Sequence, residues 1–214
     1  MKSVSDRIID RLPAGGSTIV AAFGSSYDRL TTDNACVLLI DHQIGPLWEL
    51  EFAETRRRVV ELAGDAKRLG VPTIITAIGV DTLGPIIPEL TAAHENAPHV
   101  VRDIVNAWDD PVIRDQVEST RCTKLIIAGS AADVGVLLCA RSAIAAGYAV
   151  YVPIDACAHF THPSSTWLSN AGAIVTTAAL VTSEIGGAKG GPRRSGRTQA
   201  APIKLAAFEA HDWR

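Results

Sequence analysis

Short apolar runs, each too brief for a typical helix and each separated from the next by a capped or amphipathic stretch, constrain this chain more than any other feature. ACVLLID (35–41) and VPTIITAI (71–78) are two such runs and read as buried strands. Between them, AETRRRVVELAGDAKRLG (53–70) places Val59, Val60, Leu62, Ala63 and Ala66 on one side of a helix that stops at Gly70. That makes a βαβ unit. The pattern repeats with HVVRD (99–103) as a short strand, DDPVIRDQVEST (109–120) as a helix opened by Asp110 and Pro111, and TKLIIAG (123–129) as a strongly apolar strand. DVGVLLCARSAIAAG (133–147) follows as a helix, YAVYVPID (148–155) as a strand, PSSTWLSNAG (163–172) as a short helix, and AIVTTAALV (173–181) as a last strand running into a turn. Parallel neighbours need crossovers, and sheets buried on both faces need helices on both sides. The expected fold is therefore α/β: a three-layer, doubly wound domain with a mostly parallel six-stranded sheet.

Residues 33–184 hold this alternation. Residues 1–32 form an N-terminal extension with a candidate helix at 4–12, and 185–214 are a Gly/Arg-rich excursion and C-terminal tail. The excursion, GGAKGGPRRSGRTQAAPIK (186–204), has no hydrophobic period. Its Lys189, Arg193, Arg194, Arg197 and Lys204 suit a solvated loop, or contact with an anionic substrate or a neighbouring subunit.

Composition narrows the function. Apolar residues make up 47% and charged residues 20% of 214, enough for one domain with a sizeable core, and a net charge of −3 gives no field that calls for nucleic acid or an anionic membrane. The expected partner is a small-molecule substrate. No apolar run approaches a bilayer span and MKSVSDRIIDRLPAGG lacks a signal peptide's apolar segment, so a cytoplasmic location is expected. The four cysteines lack metal spacing and read as free, buried thiols. No metal or cofactor is expected: no histidine pair stands at helical spacing, and GGAKGG lacks the GxxxxGK[ST] spacing of a phosphate loop.

In doubly wound folds ligands bind beyond the carboxyl ends of the strands. Asp41, Arg102, the stretch 129–135 and Asp155 lie at such ends. There NACVLLIDHQIGPLW (34–48), APHVVRDIVNAWDD (97–110) and LIIAGSAADVGVLLCARSAIAAGYAVYVPIDACAHF (125–160) resemble the isochorismatase-like, or cysteine hydrolase, superfamily. The similarity spans about residues 33–183. DHQ (41–43), GPIIPEL (84–90), NAWD (106–109) and the terminal HDWR resemble its YcaC-like branch.

The resemblance implies that Asp41 is the general acid/base, with Arg102 where most members carry lysine and this branch arginine. It places Gly135 where the family has its nucleophilic cysteine. Val134 and Gly135 would supply the backbone N–H groups of an oxyanion hole, and the Ser130–Ala131 turn is where the family has a cis peptide. The metal-binding residues of nicotinamidases have no counterpart in TAIGVDTLGP (76–85), and the family commonly forms homo-oligomers. GPLWELEF (45–52) is a candidate interface patch or pocket wall.

Without a thiol, no covalent acyl intermediate can form at residue 135. Phenazine-pathway isochorismatases, which resemble this chain at DVGVL, also have glycine there and cleave a vinyl ether by proton transfer. The expectation is an enzyme acting through Asp41 on a small, anionic metabolite, hydrolysing a vinyl ether or running a related non-covalent reaction. Two alternatives stay open: a non-catalytic binding or assembly scaffold, and a cysteine hydrolase whose nucleophile was replaced by mutation. Arg102, always charged, suits electrostatic work or a structural ion pair. Candidate substrate contacts are His42, Gln43, Asn106, Trp108, Ser130, Ala131, Val134 and His159. Asp133 is expected to cap its helix, Cys139 to be a core thiol, and His162 to lie near the crevice or on the surface.

Overall fold

A computed structural model describes residues 28–187. The candidate helix at 4–12, the basic residues from Lys189 to Lys204 and the terminal HDWR lie outside the described residues. Six strands form the sheet: β1 (Ala35–Ile40), β2 (Thr73–Ile78), β3 (His99–Arg102), β4 (Lys124–Gly129), β5 (Ala149–Pro153) and β6 (Ile174–Thr176). Their spatial order is β3-β2-β1-β4-β5-β6, and every pairing is parallel. The chain thus starts in the middle and winds outward both ways, which puts the switch point of the winding between β1 and β4, where folds of this kind bind ligands.

Central β1 and β4 are buried at every position, so they show continuous apolar runs instead of alternation. Edge strand β3 ends with a buried Arg102 after three more exposed residues. Register then sets the site: Ile40 stands beside both Thr76 and Gly129, and Ile78 beside Arg102. Asp41, one residue past β1, follows at once.

Helices cover both faces. Helix α1 (Ala53–Leu69) buries Val59, Leu62, Ala63, Ala66 and Leu69 and ends at Gly70, whose φ of 76° is the left-handed stop that glycine adopts without strain. The β2–β3 crossover contains two short helices that the sequence reading did not resolve, α2 (Val80–Leu83) and α3 (Pro88–Ala93). Helix α4 (Pro111–Ser119) opens as expected, with the Asp110 carboxylate accepting from the N–H groups of Val112 and Ile113 at 2.8 and 3.4 Å. Then come α5 (Leu137–Ala145), α6 (His162–Asn170) and α7 (Ala178–Gly187). The α1 helix packs on α3 and α7, while α5 packs on α6. Among the described residues no helix is long and apolar enough to cross a membrane.

Two expectations need correction. The run 173–181 is not one strand: β6 ends at Thr176 and α7 starts at Ala178, because Asp155 Oδ1 accepts the Ala178 N–H at 2.8 Å and Thr177 Oγ1 accepts from Leu180 at 3.3 Å. These caps convert an apolar run into a helix that continues to Gly187, across the expected boundary at 184/185. Asp133 does not cap its own helix. Its Oδ1 instead accepts from Ser164 Oγ and, at 3.5 Å, from Thr161 Oγ1, the two capping residues of α6.

The β4–α5 junction is tight. A Cβ on Gly129 would sit 2.7 Å from Val136 Cγ2 and 3.0 Å from the Ile40 carbonyl oxygen, whereas one on Gly64, inside α1, would meet nothing within 4 Å among the described residues. Gly129→Ala is expected to destabilise the protein by about 1–3 kcal/mol through overpacking. Gly64→Ala is expected to stabilise it by up to about 1 kcal/mol through helix propensity. Urea unfolding of the two variants checks both signs.

Candidate functional site

β1 delivers Asp41 to the carboxyl end of the sheet with a sharp change of direction. Its φ of 56° is left-handed, a conformation that aspartate tolerates better than most residues. The Asp41 N–H still donates to the Thr76 carbonyl at 3.0 Å, so the turn starts from an intact ladder. Arg102, at the end of β3, reaches across the end of β2 to meet it. Its Nη1 donates to Asp41 Oδ1 at 2.6 Å and its Nη2 to Oδ2 at 2.7 Å, a two-pronged ion pair. Nη2 also donates to the Val105 carbonyl at 3.3 Å, and Thr76 Oγ1 donates to Asp41 Oδ1 at 3.3 Å.

The Arg102 side chain is 0% exposed and that of Asp41 10%, so solvent reaches the pair from the aspartate side only. Arg102 Nε is buried without a partner. Removing either member of a buried pair typically costs about 3–5 kcal/mol, because the other charge is left uncompensated.

Gly135 lies in a single wide turn, Ala132–Val136, that links β4 to α5. Among the described residues, the only contact within 4 Å that a Cβ there would make is Ile40 Cγ2, at 3.8 Å, so the position has room for a side chain beside the residue preceding Asp41. The expected cis peptide is absent: every peptide among the described residues is trans. The reversal runs through Ala131, at φ −122° and ψ 77°, and the wide turn, in which Val136 N–H reaches the Ala131 carbonyl at 3.2 Å. Ser130 N–H donates to the Ile40 carbonyl at 3.0 Å, and Ala132 N–H to that of Ala158 at 3.2 Å. Val134 is half exposed, and its N–H, expected in an oxyanion hole, donates to the Ala131 carbonyl at 3.3 Å.

The other candidate contacts divide sharply. Gln43 is buried with its amide satisfied by protein: Nε2 donates to the Gly84 carbonyl at 2.5 Å, and Oε1 accepts from Ile78 N–H at 3.0 Å. Asn106 Nδ2 donates to Ser142 Oγ at 3.0 Å while its Oδ1 accepts from Trp108 N–H at 3.2 Å. Trp108 is buried edge-on against Tyr148, ring centres 5.2 Å apart. Ser130 is buried and Ala131 exposed. His159 is exposed and lies against Phe52, ring centres 4.6 Å apart; His162 is exposed at the first position of α6.

Cys139 is enclosed, and burial pushes its thiol up to about 12. Among the described residues, no group of three or more His, Cys, Asp or Glu side chains is arranged to hold a metal. Thr76 and the Val105 carbonyl escaped the sequence reading. Thr76 did carry a signal, a hydroxyl inside the apolar run TIITAI opposite the strand end that carries Asp41.

An acid–cation pair at the carboxyl ends of a doubly wound sheet, beside a strand-to-helix turn, defines a class. The chain belongs to the isochorismatase family: residues 35–180 match the Isochorismatase domain. It is 38% identical over 160 residues to an Escherichia coli (strain K12) protein described as "Probable hydrolase YcaC", a match covering 71% of this chain and 77% of that one. The solved structure of E. coli YcaC, an octameric hydrolase of unknown specificity, superimposes with a TM-score of 0.71 at 35% identity, covering 76% of this chain and 84% of that one. Pseudomonas aeruginosa YcaC, solved with hexane-2,5-diol and covalent acrylamide, gives a TM-score of 0.71 at 32% identity, with 75% and 84% covered.

His42 is fully buried. Its Nε2 donates to the Ala156 carbonyl at 3.0 Å, and Nδ1 has no partner. Loss of hydration pushes its pKa from 6.5 down to about 4, against the opposing pull of the Ala156 carbonyl and the Asp41 charge. The unfolded chain takes up this proton near pH 6.5 and the native state only near 4. The histidine's contribution is therefore complete above pH 6.5 and declines as pH falls to 4. Between pH 7 and 4.5 the loss is about 2–3 kcal/mol. Urea unfolding at the two pH values is expected to show a difference smaller by about that amount in His42→Gln, whose amide can still donate to Ala156; an unchanged difference refutes the assignment.

Proposed function

We propose that this chain is a hydrolase that acts on a small molecule through Asp41 without a covalent adduct. The carrying observation is the pairing of a buried, water-touched carboxylate with a neighbouring helix turn that bears no nucleophilic side chain at Gly135. Likeness to the YcaC hydrolases supports the reaction class, and the enclosed Cys139 is a poor substitute nucleophile. In this reading Asp41 accepts a proton from the attacking water and returns it to the leaving group, while Arg102 holds the carboxylate in place and balances its charge.

The ion pair also bears on substrate and chemistry. Both terminal nitrogens of Arg102 already serve Asp41, so recognition of an anionic substrate would fall to other donors. Vinyl-ether cleavage begins with a proton on Asp41, which would displace one of those two hydrogen bonds. Base-assisted attack by water needs no such displacement and is the better fit.

A panel of small esters, amides and vinyl ethers, followed by chromatography and intact-protein mass spectrometry, tests the reading. Turnover is expected with no mass added to the protein. Asp41→Asn is expected to lose at least about 100-fold in kcat, within the usual range for general acid–base catalysis, and Cys139→Ser to change it less than about twofold. Gly135→Cys is expected to fold and to take up acrylamide at residue 135. Retained activity in Asp41→Asn, or substrate attached to the native chain during turnover, would sink the proposal.

A homo-oligomer is the matching expectation for assembly, supported by the octameric E. coli relative. The GPLWELEF segment divides: Leu47 is buried and Phe52 packs on His159, while Trp48 and Leu50 are 76% and 93% exposed. Outward apolar side chains of this size suit a subunit contact. Light scattering is expected to give a mass several times the 22.6 kDa chain, and Trp48→Glu/Leu50→Glu is expected to reduce it.

A further inference from the structure

Helices α5 and α6 pack against each other, and an open hollow of about 450 Å³ lies between them. It is lined by Leu137 and Arg141, one turn apart on α5, and by Trp167, Asn170 and Ala171 at the end of α6. This spacing agrees with how each helix is seated. Helix α5 sends Cys139, Ala140 and Ala143 into the core and α6 sends Ser164 and Leu168, which leaves 137 and 141 on the flank of one and 167 and 170 on the flank of the other. Trp167 is 52% exposed, a large surface for an indole to leave in water. Arg141 is exposed as well, and neither helix carries another Arg or any Lys, Asp or Glu. Among the described residues its guanidinium has no hydrogen bond or ion pair. Nor is it needed to cap α6: the carbonyls of Trp167, Leu168 and Ser169 already accept from the N–H groups of Ala171, Ala173 and Gly172, each at 3.0 Å.

We propose that this hollow is a binding site for a small, planar aromatic carboxylate, separate from the Asp41–Arg102 site. Its two main groups call for the two halves of one ligand. An unpaired guanidinium, always charged and forked, takes a carboxylate through two parallel N–H···O bonds. An open indole takes an aromatic ring by offset or edge-on contact. Leu137, packed against the core, gives that ring an apolar wall, and Asn170 adds a neutral polar group at the rim. The full charge of Arg141 outweighs the opposing charge, roughly half a unit, at the carboxyl end of α6. A cationic ligand would meet the guanidinium unfavourably, and a non-aromatic anion would leave the indole in water. The hollow is also large enough, since small-molecule pockets start at roughly 300 Å³. Neither Asp41 nor Arg102 lines it, so binding here does not depend on the proposed reaction.

Titration of the full chain with 2-naphthoate, followed by saturation-transfer NMR, tests the site. Saturable binding is expected, with a Kd of about 1 mM or tighter for a ligand of this size. 2-Naphthamide keeps the ring without the charge, and cyclohexanecarboxylate keeps the charge without the aromatic ring. Each is expected to bind at least about fivefold more weakly. Arg141→Gln and Trp167→Ala change exposed side chains and are checked for folding by circular dichroism. They are expected to weaken naphthoate binding at least about tenfold and about fivefold, respectively. The proposal is overturned by a lack of saturation up to about 10 mM naphthoate, roughly ten times the expected Kd, by naphthamide binding as tightly as naphthoate, or by unchanged binding in either variant. A smaller assembly mass for either variant in light scattering would also overturn it, because the hollow would then be a contact between subunits.

Discussion

The two-pronged contact between Asp41 and Arg102 is the interaction on which the site end of the molecule depends. It joins β1 and β3 across the end of β2, with Thr76 of that intervening strand adding a third hydrogen bond. A charge pair this enclosed contributes little net stability relative to an apolar filling, yet breaking it leaves a bare charge in the core. Its value is geometric. It determines where the carboxylate points and holds the loop carrying Val105 against the sheet.

Directly beside this pair, close packing replaces charge. Gly129 ends β4 so near Ile40 and Val136 that no Cβ fits, and this lets the chain drop into the wide turn carrying Gly135. The two glycines therefore do opposite things. One is required because the backbone approaches too closely, and the other leaves open a space that a side chain could fill. Exchanges with the loop after β5, Ala132 to Ala158 and Ala158 back to Gly129, hold the turn without a cis bond.

Much of this was legible in the order of residues. The first five strands, α1 with its Gly70 stop and the Asp110 cap follow from period and capping chemistry, because fully buried strands and amphipathic helices leave distinct patterns of apolar residues. Helix α7 was misread because its start is set by Asp155, a residue 23 positions earlier in the chain. Asp133 was misplaced for a similar reason, its partners lying on α6. At the site, Asp41 and Arg102 could be picked out by their strand-end positions, but their mutual saturation could not. Whether an arginine faces a ligand or an aspartate depends on strand order, and local sequence does not encode that order.

That saturation constrains what the Asp41–Arg102 pair can bind. Arg102 turns both terminal nitrogens to Asp41, so both carboxylate oxygens already face a cation. A pair closed in this way attracts an additional charge weakly, while the Asp41 side chain keeps 10% of its surface exposed. In the proposed reaction that exposed surface is where water, an uncharged nucleophile, would reach Asp41.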